Sequence, residues 1–261
     1  MGRMSAEGSS RLPLTRIGLA VLSVVALAWV GAAVFGAVSR TSENAAVTKS
    51  VDGQSISPAR AGSAAAALAT LAVKGRAPKT GYDRALFGQA WADVDRNGCD
   101  TRNDVLRRDL TQYEVKPRTN GCRVLSGTLL DPYTGTTIAF VRGQDTSSKV
   151  QIDHVVALSD AWQKGAQQWP TTRRTAYAND VLNLLAVDGL TNQRKGDGDA
   201  ATWLPPHKPY RCPYAARQIA VKAKYALWVT LAERDALARI LATCTSQSLP
   251  TAAVPTPGGG R

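Results

Sequence analysis

Two stretches decide the fold: IDHVVAL at residues 152–158 and NLLAVDGLTNQRKGD at residues 183–197. Short β-branched runs, TTIAFV (136–141) and KVQI (149–152), lead into the first with Arg-Gly-Gln-Asp between them. They predict a hairpin that delivers Asp153 and His154 at a strand end. In the second, NLLAV (183–187) is apolar but too short for a helix of its own. An Asp-His pair alone is more often a capped polar pair than a catalytic one, and Asn183 and Asn192 alone read as turn residues. The weight lies in their occurring together, with Arg194 and Lys195 directly after.

Outward from this centre the pattern is helical. Residues 159–169 and 171–178 predict short helices with Ser159 and Thr171 as N-caps. Residues 64–73 and 83–91 are also helix-prone. Residues 213–228 and 231–241 have helical apolar spacing, and Thr230 with Glu233 fits a capping box for the second. The fold class expected is therefore α+β, a mostly helical domain around a small β-containing core.

The chain has 261 residues, 44% apolar and 20% charged. That excludes a disordered chain and a polytopic membrane protein, and it favours one main domain. The formal net charge is +12, which makes polyanions such as nucleic acid or anionic lipid candidate partners. Residues 83–244 carry only 22 Lys and Arg against 17 Asp and Glu, so the core itself is mildly basic.

Residues 17–38 hold no formal charge and as a helix would span about 33 Å, close to a bilayer core. Arg3, Arg11 and Arg16 precede them, which keeps residues 1–16 cytoplasmic and exports the remainder of the chain. The protein is thus expected outside the cytoplasm, anchored by this one helix or secreted if the segment is cleaved. A flexible linker (39–64), a domain (65–245) and a Pro- and Gly-rich disordered tail (246–261) complete the expected organisation.

The four cysteines, Cys99, Cys122, Cys212 and Cys244, match no zinc spacing and read as two disulfides of an exported protein. Three pairings are open; sequential pairing closes the shortest loops and is the one expected. Residues 93–104 place Asp93, Asp95, Asn97 and Asp104 at positions 1, 3, 5 and 12 of a calcium-loop pattern, with Gly98 at 6. A structural Ca²⁺ is one reading; an Asp/Asn/Gly turn with helix caps is the other.

Taken together, IDHVVAL, NLLAVDGLTNQRKGD, DPYTG (131–135), WLPP (203–206) and RCPY (211–214) resemble the HNH or ββα-metal nucleases. The closer likeness is to exported HNH endonuclease family proteins with the GmrSD-type C-terminal nuclease domain, over roughly residues 81–244. The resemblance implies a ββα-metal core and metal-dependent phosphodiester hydrolysis, of DNA with RNA left open as the alternative, and a 5′-phosphate product. It implies His154 as general base, with Nδ1 held by an acceptor and Nε2 toward the water. It makes Asn183 an orienting residue, and Asp153 and Asn192 ligands of one divalent ion. Asn rather than His at the third position favours Mg²⁺ or Mn²⁺ over a zinc-type site. Arg194 and Lys195 would clamp phosphate near the start of the helix bearing Asn192. Little sequence specificity is expected, because contacts to the phosphate backbone carry none. The rival reading is a non-catalytic extracytoplasmic module that binds calcium or polyanions. A phosphatase or phosphodiesterase of small molecules is a lesser one.

Overall fold

The computed structural model describes residues 62–144 and 146–251. The expected cytoplasmic N-terminus, the anchor at 17–38, nearly all of the linker and the end of the tail lie outside the described residues. Among the described residues no helix is long and apolar enough to cross a membrane.

In chain order the elements are α1 (Ala64–Thr70), α2 (Thr101–Asp109), β1 (Leu110–Val115), β2 (Val124–Leu130), β3 (Thr137–Val141), β4 (Val150–His154), α3 (Leu158–Trp162), α4 (Thr171–Ala178), β5 (Leu184–Asp188), α5 (Gly189–Lys195), α6 (Arg211–Tyr225) and α7 (Leu231–Leu241). The fold is mixed α+β with two disulfides. Strands β1-β2-β3 form one antiparallel sheet, and β4-β5 form a second in which His154 faces Leu184 and Val150 faces Asp188.

The predicted hairpin of 136–141 with 149–152 does not form. β3 pairs with β2, whereas β4 pairs with β5, and a 3₁₀ turn at Ser147–Lys149 carries the chain from one sheet to the other. Burial explains the choice. β4 is buried along nearly its whole length while β3 is largely exposed, and the continuous apolar run Leu184–Val187 supplies a partner strand buried on both faces. Alternation along this pair then divides the core. Ile152, Leu184 and Ala186 pack with Val105 and Leu106 of α2 against the three-stranded sheet. Val155, Leu185 and Val187 pack against Tyr133 and Tyr214.

α1 ends at Thr70, short of the expected 73, and two other expected helices are shorter still. Residues 83–91 yield only a 3₁₀ turn, Arg84–Phe87, and residues 159–169 yield α3 and a separate 3₁₀ turn, Ala166–Gln168. Gly88 (φ 81°) ends the first, and Gly165 (φ 128°) separates the two parts of the second. Ala157 and Pro170, rather than Ser159 and Thr171, hold the N-cap positions. The capping box of Thr230 and Glu233 forms. The domain also runs past 245. Ala64 N–H donates to the Gln247 carbonyl, Ser63 bridges Ser248, and Leu249 packs on the core.

Cys99 bonds Cys122 and Cys212 bonds Cys244, across sequence separations of 23 and 32. The first ties the loop before α2 to the start of β2. The second joins the open ends of the α6–α7 hairpin. Reduction is expected to cost about 2–4 kcal/mol per bridge, read as a lower urea midpoint in dithiothreitol; superimposable unfolding curves would contradict it.

Beneath α3 lies a buried ionic cluster. Lys164 Nζ contacts Asp160, Asp199 and Glu233 at 2.6–2.8 Å, and Lys222 Nζ contacts Asp160 and Glu233 at 3.2 and 2.9 Å. Arg76 closes it from the surface, at 3.0 Å from Asp160 and 2.6 Å from Asp199.

Candidate active site

β4, β5 and α5 form a ββα unit, and its local chemistry is dictated by the sequence at each joint. Asp188 ends β5 and caps α5, its carboxylate accepting from Thr191 N–H at 2.7 Å. Gly189 is required at the first helical position, because a Cβ there would strike the Ser148 carbonyl oxygen. α5 thereby lies against the entry to β4 and brings Asn192 beside Gln151. The Asn192 Nδ2 donates to Gln151 Oε1 at 2.9 Å, which leaves its Oδ1 as the acceptor.

Asp153 and His154 are adjacent at the end of β4, so their side chains leave the strand on opposite faces. Asp153 is held at both oxygens. Tyr133 O–H donates to Oδ2 at 2.5 Å and Lys195 Nζ to Oδ1 at 2.9 Å, the lysine also donating to the His154 carbonyl. Tyr133 is fully buried, carried there by the DPYTG turn. Asp131 closes that turn by accepting from Thr134 and reaches β5 by accepting from Asp188 N–H. His207 supports the same turn, its backbone N–H donating to the Tyr133 carbonyl.

His154 is 7% exposed. Its Nε2 lies 2.8 Å from the Ala178 carbonyl oxygen. A carbonyl only accepts, so Nε2 carries the proton and the lone pair of the neutral ring is on Nδ1. This reverses the orientation expected from the resemblance. Burial pushes the imidazole pKa down to about 4, with the Ala178 hydrogen bond opposing and Arg84 assisting. The ring is therefore neutral at physiological pH, with the Nδ1 lone pair unprotonated.

The Asn183 side chain hydrogen-bonds Val156. It is fully buried, and its Oδ1 accepts from Val156 N–H at 2.9 Å while its Nδ2 donates to the Val156 carbonyl at 3.2 Å. Its backbone carbonyl accepts from Val155 N–H. Asn183 thus clamps the segment that leaves β4 immediately after His154.

Two expectations are corrected. Lys195 does not face phosphate: its side chain is 0% exposed and paired with Asp153. Arg194 and Lys195 also lie in the last turn of α5, not near its start, so no helix N-terminal amides assist them.

Asp153, His154 and Asn192 open into a cleft of about 530 Å³ whose wall includes Lys79, Arg84 and Arg102. Arg194 is exposed and does not line it. The two carboxylates of the lining already have lysine partners, Asp153 with Lys195 and Asp197 with Lys79. The cleft is net positive, the field a polyanion requires. Sequence reasoning misses Tyr133, Lys79 and Arg84, which come from distant segments, and Gln151, whose part is shown only by its hydrogen bond to Asn192.

The loop at 93–104 is closed by its own side chains. Asp93 accepts from Asn97 and Gly98 N–H, Asp95 from Asn97 N–H, and Asn97 Oδ1 from Cys99 N–H. Asp104 is buried, and burial raises its carboxyl to about 6, offset by a hydrogen bond from Asn97. Among the described residues no three His, Cys, Asp or Glu converge to hold a metal ion. Only the C-terminal flank, α2, is helical, capped by Asp100.

Residues 100–240 match the family described as GmrSD restriction endonucleases, C-terminal domain. The chain belongs to this family. The GmrSD C-terminal domain match contains the whole ββα unit with Tyr133, Asp153, His154, Asn183 and Asn192, and it sets the chain among nuclease-related proteins. The chain is also 41% identical over 186 residues, 70% of its own length and 86% of the relative's, to a protein of Arthroderma benhamiae described as an uncharacterized secreted protein. No solved structure matches.

Proposed function

We propose that this protein is an exported, metal-dependent endonuclease of HNH type that hydrolyses phosphodiester bonds, DNA first, with little sequence specificity. The observation that carries the reading is His154. It is a neutral imidazole whose protonated Nε2 is anchored on Ala178, leaving Nδ1 as a base, and it stands beside Asp153 and Asn192 in a positively charged cleft.

The chain's own residues supply most of the machinery. His154 Nδ1 takes the proton of the attacking water, and the Asn183 clamp on Val156 fixes the chain just beyond it. Arg84 and Arg102 attract the phosphate backbone without reading bases. Tyr133 and Lys195 fix the rotamer of Asp153 and offset its buried charge. One carboxylate and one amide oxygen fit a hard divalent ion that keeps most of its waters, not an all-protein cage. Asp153 and Asn192 would hold it. Bound there, Mg²⁺ or Mn²⁺ would neutralise charge developing on the phosphate and its leaving oxygen. Export is supported by the apolar segment at 17–38, the two disulfides and the secreted relative.

The test is cleavage of plasmid and single-stranded DNA by the purified protein in Mg²⁺, Mn²⁺, Ca²⁺ or EDTA, beside Asn192→Ala. Cutting that EDTA abolishes is expected, together with a Mg²⁺ requirement shifted upward by about 10-fold or more in the variant. An unchanged Mg²⁺ titration removes Asn192 as a ligand. A folded protein that cuts nothing under any metal overturns the nuclease reading in favour of a binding module.

A further inference from the structure

A second cavity, of about 250 Å³, lies against His154 beside the cleft. Its wall is apolar, formed by Phe87, Ala90, Leu158 and Ala178, with Gln89 as a polar group. Arg84, Trp91, His154 and Leu158 line both spaces, so the two meet at the imidazole. The volume is below the ~300–1,000 Å³ of pockets for drug-sized ligands and on the scale of one planar ring system.

Trp91 forms the shared wall in a strained backbone conformation. Its φ is 61°, a left-handed geometry that an aromatic residue adopts only when its surroundings impose it. Thr101 imposes it here, its N–H donating to the Trp91 carbonyl and its hydroxyl to the Ala92 carbonyl at 2.5 Å. The indole lies nearly parallel to the His154 ring, with 17° between planes and 6.4 Å between centroids, and the Arg102 guanidinium is 6.0 Å from its centre. Gly88 presses the same segment onto α4, since a Cβ there would strike Thr175. An aromatic face is thus held rigidly at the mouth of an apolar slot, beside the base and two arginines. Both Arg84 and Trp91 precede residue 100, where the family match begins.

We propose that this slot takes the nucleobase of a nucleotide flanking the scissile phosphate, unstacked from its neighbours and laid against the Trp91 indole. The substrate class implied is single-stranded or locally opened nucleic acid, because a base within a duplex stack cannot enter. Stacking on aromatic faces is tolerant of base identity, which agrees with a nuclease of little sequence specificity. The inference rests on the nuclease reading, and the experiment separates the two.

Single-stranded oligonucleotides with one abasic site moved along the strand, and their duplex forms, are cleaved by wild type, Trp91→Ala and Trp91→Phe. In parallel, binding of the same strands is measured by fluorescence polarisation in EDTA. In wild type, an abasic site at the flanking position is expected to slow cleavage at that phosphate roughly 5- to 150-fold, with other positions unaffected. Trp91→Ala should erase this difference and Trp91→Phe should retain most of it. Equal cutting of intact and abasic strands, or an equal slowing of both by Trp91→Ala, overturns the slot and leaves Trp91 a support for His154. Faster cutting of duplex than of single strands overturns it too. Absent cleavage with binding that still depends on the base and on Trp91 sinks the nuclease reading and upholds the slot; absent cleavage with base-independent binding sinks both.

Discussion

His154→Ala is expected to lower phosphodiester cleavage by about 10²- to 10⁴-fold, the range a positioned general base contributes, while the domain stays folded. The geometry isolates the imidazole's role. Its Nε2 is committed to the Ala178 carbonyl, so the only ring atom available for chemistry is Nδ1. The Asp153 side chain is held independently by Tyr133 and Lys195, so the truncation does not release the carboxylate proposed to hold the metal. The Asn183 clamp on Val156 likewise remains. The rate loss should therefore appear without a comparable shift in the Mg²⁺ titration or in oligonucleotide binding. Added imidazole should restore part of the activity, because the truncation leaves a ring-sized space beside Trp91. Activity within a few-fold of wild type would remove His154 as the base, whatever the cause of cleavage.

The site is legible in the sequence where neighbouring residues carry it, and less so where pairing across the fold does. Asp153, His154, Asn183 and Asn192 all fall on one ββα unit, and the cysteine spacing matches the pairs that form. The β4 partner is misread because a strand's pairing depends on how much of it is buried, and β-branching alone does not report that. NLLAV resolves the ambiguity only once both faces of β4 are known to be covered. Lys195 obeys the same logic. In a sequence it is a cation next to Arg194, but one turn after the buried Thr191 it falls on the buried side of α5, against a carboxylate 42 positions earlier. Trp91 is not marked out by the sequence, because no pattern signals a positive φ at a non-glycine residue. Tyr133 stands in the DPYTG stretch with no role visible there, since its partner Asp153 lies 20 residues away.

Asp160→Asn should be the most damaging substitution for stability away from the cleft, at about 3–5 kcal/mol. For a domain of this size that corresponds to a fall in Tm of roughly 10 °C. Asp160 sits between three cations, Arg76, Lys164 and Lys222, at 3.0, 2.7 and 3.2 Å. Lys164 and Lys222 are fully buried, so removing one carboxylate charge leaves desolvated ammonium groups short of a counterion. Burial alone would raise the Asp160 carboxyl, but Lys222 and Lys164 outweigh it and hold the group below its ordinary value. Asp199 is lowered in the same way, Lys164 overcoming its burial. A carboxyl lowered in the folded state gives stability that is fully present above its unfolded value of about 3.9 and is lost as pH falls through the folded value. The gap between wild type and Asp160→Asn, measured by urea unfolding, should therefore be widest at neutral pH and shrink as pH drops below about 4. A gap independent of pH would assign the loss to packing. Because α3 carries Asp160 and also Ser159, which donates to Asp197 in the cleft wall, the variant should lose nuclease activity at temperatures where its fold is only partly populated, and recover it on cooling.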